Sequence, residues 1–309
     1  MLTTLIYIFT VIIWGTTWVA IAYQVGEVPI SISIMYRFGI AALLLLLGLG
    51  LFGKLQRISF KQHLSCLAIG MLLFSCNFML FYHAALTIPS GLISIVFSLA
   101  TVMNLLNLRV FQGQTISRSA GFGAMLGVLG LSAMFYPQIS QSSQPSEIFV
   151  GLGLALAGTY CFSIGNLLSA KQQQSGLSVL SVNAYGMAYG TILLALWSYL
   201  TGASFSLHLE QQYFASLLYL AIIGSVVGFS LYLSLVGRIG AAKAAYCTVM
   251  FPVVALGISS LLEGYQWSPI AILGLISVLL GNLLVFMPQR WFKAFHLPTL
   301  IKGAASPRD

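Results

Sequence analysis

Ala41-Ala42-Leu43-Leu44-Leu45-Leu46-Leu47 is an unbroken apolar run inside a longer one, residues 30–52, whose only charge is Arg37. A membrane β-strand alternates lipid-facing and lumen-facing residues over about 10 positions, and this run does not alternate. A helix needs about 20 apolar residues to cross the hydrocarbon, which residues 30–52 supply. The stretch predicts a transmembrane helix. Cut at charges and turn residues in the same way, the chain yields ten spans: 2–22, 30–52, 64–86, 90–110, 118–136, 148–170, 178–200, 213–236, 244–262 and 268–287.

Composition agrees. Of 309 residues, 59% are hydrophobic and 6% charged, against roughly 25% charged in a soluble domain. Lipid must solvate most of such a chain, and ten spans leave no room for a sizeable soluble domain. The net charge of +8 is spread one to three residues per loop, with no basic patch interleaved with aromatics, which excludes a nucleic-acid surface. Cys66, Cys76, Cys161 and Cys247 stand singly inside apolar stretches, so neither a disulfide framework nor a metal site is expected. No cofactor motif is present. Ala20-Ile21-Ala22 resembles a signal-peptidase site, but residues 1–13 carry no Lys or Arg. A signal peptide needs that positive region, so the first apolar run is read as an uncleaved transmembrane helix.

Charge placement fixes the expected topology. Lys54, Arg57, Lys61, Arg109, Arg118, Lys171, Arg238, Lys243, Arg290, Lys293, Lys302 and Arg308 all fall on one side when the spans alternate, and Glu27, Glu147, Glu210 and Glu263 fall on the other. Lys and Arg are retained on the cytoplasmic side, which predicts a multi-pass protein of a bacterial-type inner membrane with both termini cytoplasmic. The tail around Arg290-Trp291-Phe292-Lys293 reads as an interfacial anchor.

The polar stretch Ser140–Ser146 separates two sets of five spans. An odd number per half inverts one half relative to the other, the layout of inverted-repeat transporters. The expected organisation is a first five-helix repeat at 1–138, a periplasmic linker at 139–147, a second repeat at 148–288 and a cytoplasmic tail at 289–309. A shift of 154 positions pairs Gly70 with Gly224, Phe97 with Phe251 and Gly127 with Gly281. Gly123 with Gly127, Gly186 with Gly190 and Gly224 with Gly228 have the spacing that lets helices approach closely in lipid.

Trp14-Gly15 followed by Trp18, Pro29 and Arg37 in span two, Phe81-Tyr82-His83-Ala84-Ala85-Leu86 running into Pro89-Ser90-Gly91-Leu92, and Ala244-Ala245 leading to Pro252, Gly264 and Gly274 occur in that order. In this series, over nearly its whole length, the chain resembles the EamA-type branch of the drug/metabolite transporter superfamily. The resemblance implies an all-α integral membrane fold of ten helices, built as two inverted five-helix repeats around a central cavity. It also implies transport, often export, of amino acids or related metabolites. The chain departs from the family in reading Gly113-Gln114 and Glu263-Gly264 where many members carry Gly-Glu. It also lacks the common proline of the fourth helix, having Ser98 to Thr101 there.

Several residues are candidates for the substrate cavity. Arg37 lies about eight residues into its span, roughly 12 Å deep at 1.5 Å per residue, where a charge is costly and marks function by default. It would hold a substrate carboxylate through a bidentate pair, or bond backbone carbonyls at a helix break. Trp14 and Trp18, four apart with Thr17 between, share a helical face suited to a cavity wall or to packing. Pro252 frees a carbonyl in mid-span, as at transporter sites or in a simple kink. Asn77, Ser98, Tyr160 and Tyr232 read as cavity groups or as interhelical contacts. His83 titrates near neutrality and is the candidate for proton coupling. The spans contain no Asp or Glu, so the usual relay carboxylates are missing. No P-loop, HExxH or GxSxG motif occurs, which removes ATP hydrolysis and familiar hydrolase chemistry.

The sequence thus predicts a secondary transporter rather than an enzyme. Its expected partners are a small-molecule substrate and the lipid bilayer, and a monomer suffices. The competing class is a membrane-embedded enzyme or lipid-handling protein, which would need convergent acid, base or metal groups at membrane depth.

Overall fold

A computed structural model describes residues 2–26, 28–113, 115–206, 210–239 and 247–286. Glu27, Gln114, Lys243, Ala244, Ala245, Arg290, Lys293, Lys302 and Arg308, on which parts of the sequence reading rest, lie outside the described residues. The described residues form ten helices: α1 (Leu2–Ala22), α2 (Ile30–Leu51), α3 (Phe60–Ala84), α4 (Ser90–Ser98 and Ala100–Gln112), α5 (Arg118–Gln141), α6 (Pro145–Gln174), α7 (Val179–Leu200), α8 (211–239), α9 (Cys247–Leu262) and α10 (Pro269–Phe286). Eight are long and apolar enough to cross a membrane; α9 and α10 are shorter and equally apolar. The low-complexity stretch is largely helical, and only residues 142–144 separate α5 from α6.

Local chemistry sets the helix ends. Ser59 and Gln62 form a reciprocal capping box at α3, and Ser117 and Ser178 accept N–H bonds at the starts of α5 and α7, satisfying donors that a helix leaves open. Gly113 and Gly264 end α4 and α9 at φ values of +68° and +70°, a left-handed conformation that a side chain would strain. Lipid faces the outer surface: Leu43, Leu44, Leu47 and Leu51 of α2 are exposed, whereas Arg37, Ala41 and Leu45 are buried.

Two glycine pairs show the inverted repeat directly. Helices α5 and α10 run antiparallel, with Gly123 against Gly281 and Gly130 against Gly274. A Cβ on Gly130 would stand 2.5 Å from the Gly274 carbonyl oxygen, and one on Gly274 would stand 2.6 Å from that of Gly130. Moving 151 positions along the chain carries Gly123 to Gly274 and Gly130 to Gly281, so each contact is the symmetry mate of the other, as across a two-fold axis. The same step carries Gly113 to Gly264. The offset of 154 positions expected from sequence is therefore corrected by three residues: identity between the halves is too sparse to fix a register against small differences in loop length.

Each half also contains one π-helical segment in its third helix, Gly70–Cys76 in α3 and Tyr219–Val227 in α8. In both, a serine hydroxyl donates to the carbonyl five residues earlier: Ser75 to Gly70 at 3.1 Å and Ser225 to Leu220 at 2.8 Å. The first segment is sealed by glycine. Gly70 lies against Gly186 and Gly190 of α7, and Ser75 also donates to the Gly190 carbonyl at 3.1 Å. The second segment meets α2 at Arg37.

Candidate functional site

A pocket lies between the two halves, and the empty space in and in front of it, open solvent included, is about 470 Å³. It is built from α1, α2, α3, α4, α6, α8 and α9. Trp14, Thr17, Trp18, Arg37 and Asn77, all among the candidates the sequence offered, line it. The remaining wall is mainly aromatic, contributed by Phe78, Phe81, Phe97, Phe162, Phe229 and Phe251. Sequence reasoning did not assign these rings to the site, because an aromatic on an apolar helix looks the same whether it faces a cavity, a neighbour or lipid. Phe97 and Phe251 were singled out only by the 154-position offset, which the glycine contacts correct.

The rings brace one another. Trp18 makes edge contacts with Phe81 at 5.4 Å and lies nearly parallel to Phe251 at 6.2 Å. Phe97 meets Phe162 at 4.5 Å and Phe251 at 5.7 Å. Offset and edge-to-face pairs at such distances contribute about 0.5–1.5 kcal/mol each beyond burial. Gly224 and Gly228 make room for α1: a Cβ on Gly228 would lie 2.7 Å from the Trp14 indole nitrogen, and one on Gly224 would lie 2.9 Å from a Thr17 methyl.

Arg37 is 2% exposed. Its Nε donates to the Ser225 hydroxyl at 3.2 Å, and that hydroxyl in turn donates to the Leu220 carbonyl at 2.8 Å. The guanidinium carbon lies 4.4 Å from the Phe78 ring centre and 5.0 Å from that of Phe38, within cation–π range. The Tyr82 phenol stands beside it. Arg37 Nη1 and both polar atoms of the Asn77 amide nevertheless make no hydrogen bond among the described residues.

The other expected site residues stand elsewhere. Tyr160 is 45% exposed on the outside of the bundle, because its place on α6 faces away from the partner helices. His83 is exposed, and its Nδ1 bonds the Met79 carbonyl of its own helix at 2.6 Å; it does not line the cavity. Ser98 is fully buried, donates to the Ile95 carbonyl and accepts from the Asn282 amide at 3.1 Å, so it ties α4 to α10. Tyr232 packs on Trp14 at 4.8 Å, behind the wall. Pro252 is buried within α9, and its neighbour Phe251 faces the cavity instead. Among the described residues no cluster of His, Cys, Asp or Glu has the makings of a metal site.

Comparison with known proteins places this architecture. A "Probable amino-acid metabolite efflux pump" of Escherichia coli (strain K12) is 23% identical over 93% of this chain and 95% of its own length. The transporter YoaV of Bacillus subtilis is 24% identical over 89% of this chain and 90% of its own. The inner membrane transporter YedA of E. coli is 27% identical over 92% and 90%. A solved structure, "Crystal structure of protein", superposes with a TM-score of 0.67 at 15% identity, covering 91% of this chain and 95% of that one, which supports the fold. The model of the EamA-like transporter family matches residues 1–136 and again 149–287, one match for each half related by the glycine contacts. This multi-pass membrane protein belongs to the EamA-like transporter family.

Proposed function

We propose that the chain is a secondary transporter that exports amino acids or related compounds across the inner membrane by alternating access. The observation that carries this reading is the aromatic cavity between two inverted halves, with one buried cation in its wall. A cavity between inverted repeats is the place where rocking of one half against the other exposes a bound molecule to each side in turn. The halves are taken as residues 1–138 and 148–288. The basic loops are assigned to the cytoplasm and the face bearing Glu147, Glu210 and Glu263 to the periplasm, on the charge bias of the loops. No enzymatic step, cofactor or second subunit enters this reading, and the partners are the substrate and the bilayer. The test is efflux and counterflow in proteoliposomes against a panel of amino acids and their derivatives. Accumulation that depends on the protein supports transport; the absence of movement across the whole panel, with monodisperse protein, rejects it.

A further inference from the structure

We propose that the cavity selects a carboxylic acid with an apolar body and no fixed positive charge, its carboxylate bound by Arg37. This rests on the reading of the cavity as the transport site and replaces its amino acids by the related acids that lack their ammonium group.

The argument is one of charge and unfilled bonds. The chain has five acidic residues, Glu27, Glu147, Glu210, Glu263 and Asp309, of which only Glu147 lies in a spanning helix, in the first turn of α6. Arg37 is thus a buried cation with no carboxylate of its own at membrane depth. A guanidinium keeps its proton under physiological conditions, and an uncompensated charge in this setting is costly. The protein compensates only in part. Ser225 takes Nε and two phenyl rings lie near the guanidinium, but these supports are neutral, and Nη1 is left without an acceptor. Asn77, lining the same cavity and 1% exposed, has an unused donor and an unused acceptor. An anion entering here finds a charge-assisted donor in Arg37 and a neutral one in Asn77. Carboxylate–guanidinium pairs are among the stronger hydrogen-bonded contacts.

The same inventory disfavours an amine. An ammonium group would meet Arg37 as a like charge, with the Asn77 oxygen, the Thr17 hydroxyl and ring faces as its partners. A zwitterion gains at one end what it loses at the other. The repeat symmetry adds that there is one such position: the 151-position step carries Arg37 to Ala188 of α7, which bears no charge, where α7 lies close against α3 through Gly186 and Gly190. The aromatic wall supplies the apolar remainder of the ligand site, as binding cavities commonly do.

The probes are 3-phenylpropionate, its amide, L-phenylalanine and 2-phenylethylamine, offered to purified protein and followed by the shift in melting midpoint and by tryptophan fluorescence. In the wild type, 3-phenylpropionate should bind at least about ten-fold more tightly than its amide or the amine, roughly the discrimination expected of a single buried charge-assisted contact, with L-phenylalanine between them. Arg37→Lys should lose about ten-fold for the acid because the planar fork is gone, and Arg37→Gln should bind acid and amide alike. Equal binding of acid and amide by the wild type overturns the proposal without recourse to any variant, as does acid preference that survives in folded Arg37→Gln. The two readings fail separately. Counterflow of neutral or zwitterionic compounds without preference for acids leaves transport standing and removes the acid selectivity. Tight, Arg37-dependent binding of the acid with no counterflow does the reverse.

Discussion

The Glu263 carboxylate, just beyond α9, caps the start of α4 through Ser90: it accepts the Ser90 hydroxyl at 2.7 Å and the Ser90 N–H at 3.2 Å. Ser90 belongs to the first half and Glu263 to the second, so this contact fastens the halves together at the acidic face, where Gly91 also lies against Leu256 and Ser259. A negative charge at a helix amino terminus contributes about 0.3–1 kcal/mol. Glu263→Ala should lower the melting midpoint slightly. It should also speed the reaction of a cysteine at Phe97, in a chain cleared of its native cysteines, with a membrane-impermeant thiol reagent applied from the acidic face. Unchanged reactivity would show that this contact does not govern access to the cavity.

The glycine seam between α5 and α10 gives a second expectation. Gly130→Ala places a methyl group against the Gly274 carbonyl and should destabilise by about 1–3 kcal/mol, as overpacking does. Gly121, in the same helix, has nothing within 4 Å of an added Cβ, and Gly121→Ala should be neutral or stabilise by up to about 1 kcal/mol. Thermal unfolding of the two variants, side by side, measures the difference.

Tyr265 bears on alkaline stability. It lies between α9 and α10, is 5% exposed, and its hydroxyl has no hydrogen bond among the described residues. Burial pushes its phenol up to about 12, against about 10 in an unfolded chain. Below pH about 10 the group is neutral in both states and costs nothing further. Between about 10 and 12 the unfolded chain ionises first, so stability falls as pH rises. Tyr265→Phe removes an unsatisfied buried hydroxyl. It should be no less stable at neutral pH and should lose less stability from pH 10 to 12, as read from melting midpoints across that range.

Topology is open to a direct test. A reporter active only in the periplasm should work when fused after Gln141, between α5 and α6, and should be silent when fused after His296. The reverse pattern would invert the assignment drawn from the basic loops.

Much of the fold was legible in the sequence because lipid imposes a simple demand: every span must be long, apolar and helical. The run Ala41–Leu47 could meet it in only one way, and the spans 2–22 and 178–200 match α1 and α7 to within a residue. The site was legible only where a residue broke the apolar rule. Arg37 and Asn77 stood out as polar groups at depth, and Trp14 and Trp18 by their spacing. Phe78, Phe81 and Phe229 were hidden because cavity and core demand the same chemistry. Tyr160 and Tyr232 were misplaced for the complementary reason: on a helix surrounded by lipid and protein, hydropathy does not say which direction is inward. The π segments were not foreseen, since the sequences around Ser75 and Ser225 carry no proline and their glycines, Gly70 and Gly224, read as packing contacts.

The unequal treatment of the two π segments has an evolutionary and a geometric side. If the halves descend from one duplicated ancestor, the crossing that carries Ala188 between close-packed glycines in one copy and Arg37 in the other marks where the copies took separate roles. A pore made of two identical copies would present the same groups on either side of its axis, and a cargo could lodge either way round. On the proposed reading, a cation on one side only gives the cargo a head and a tail at the moment it is held.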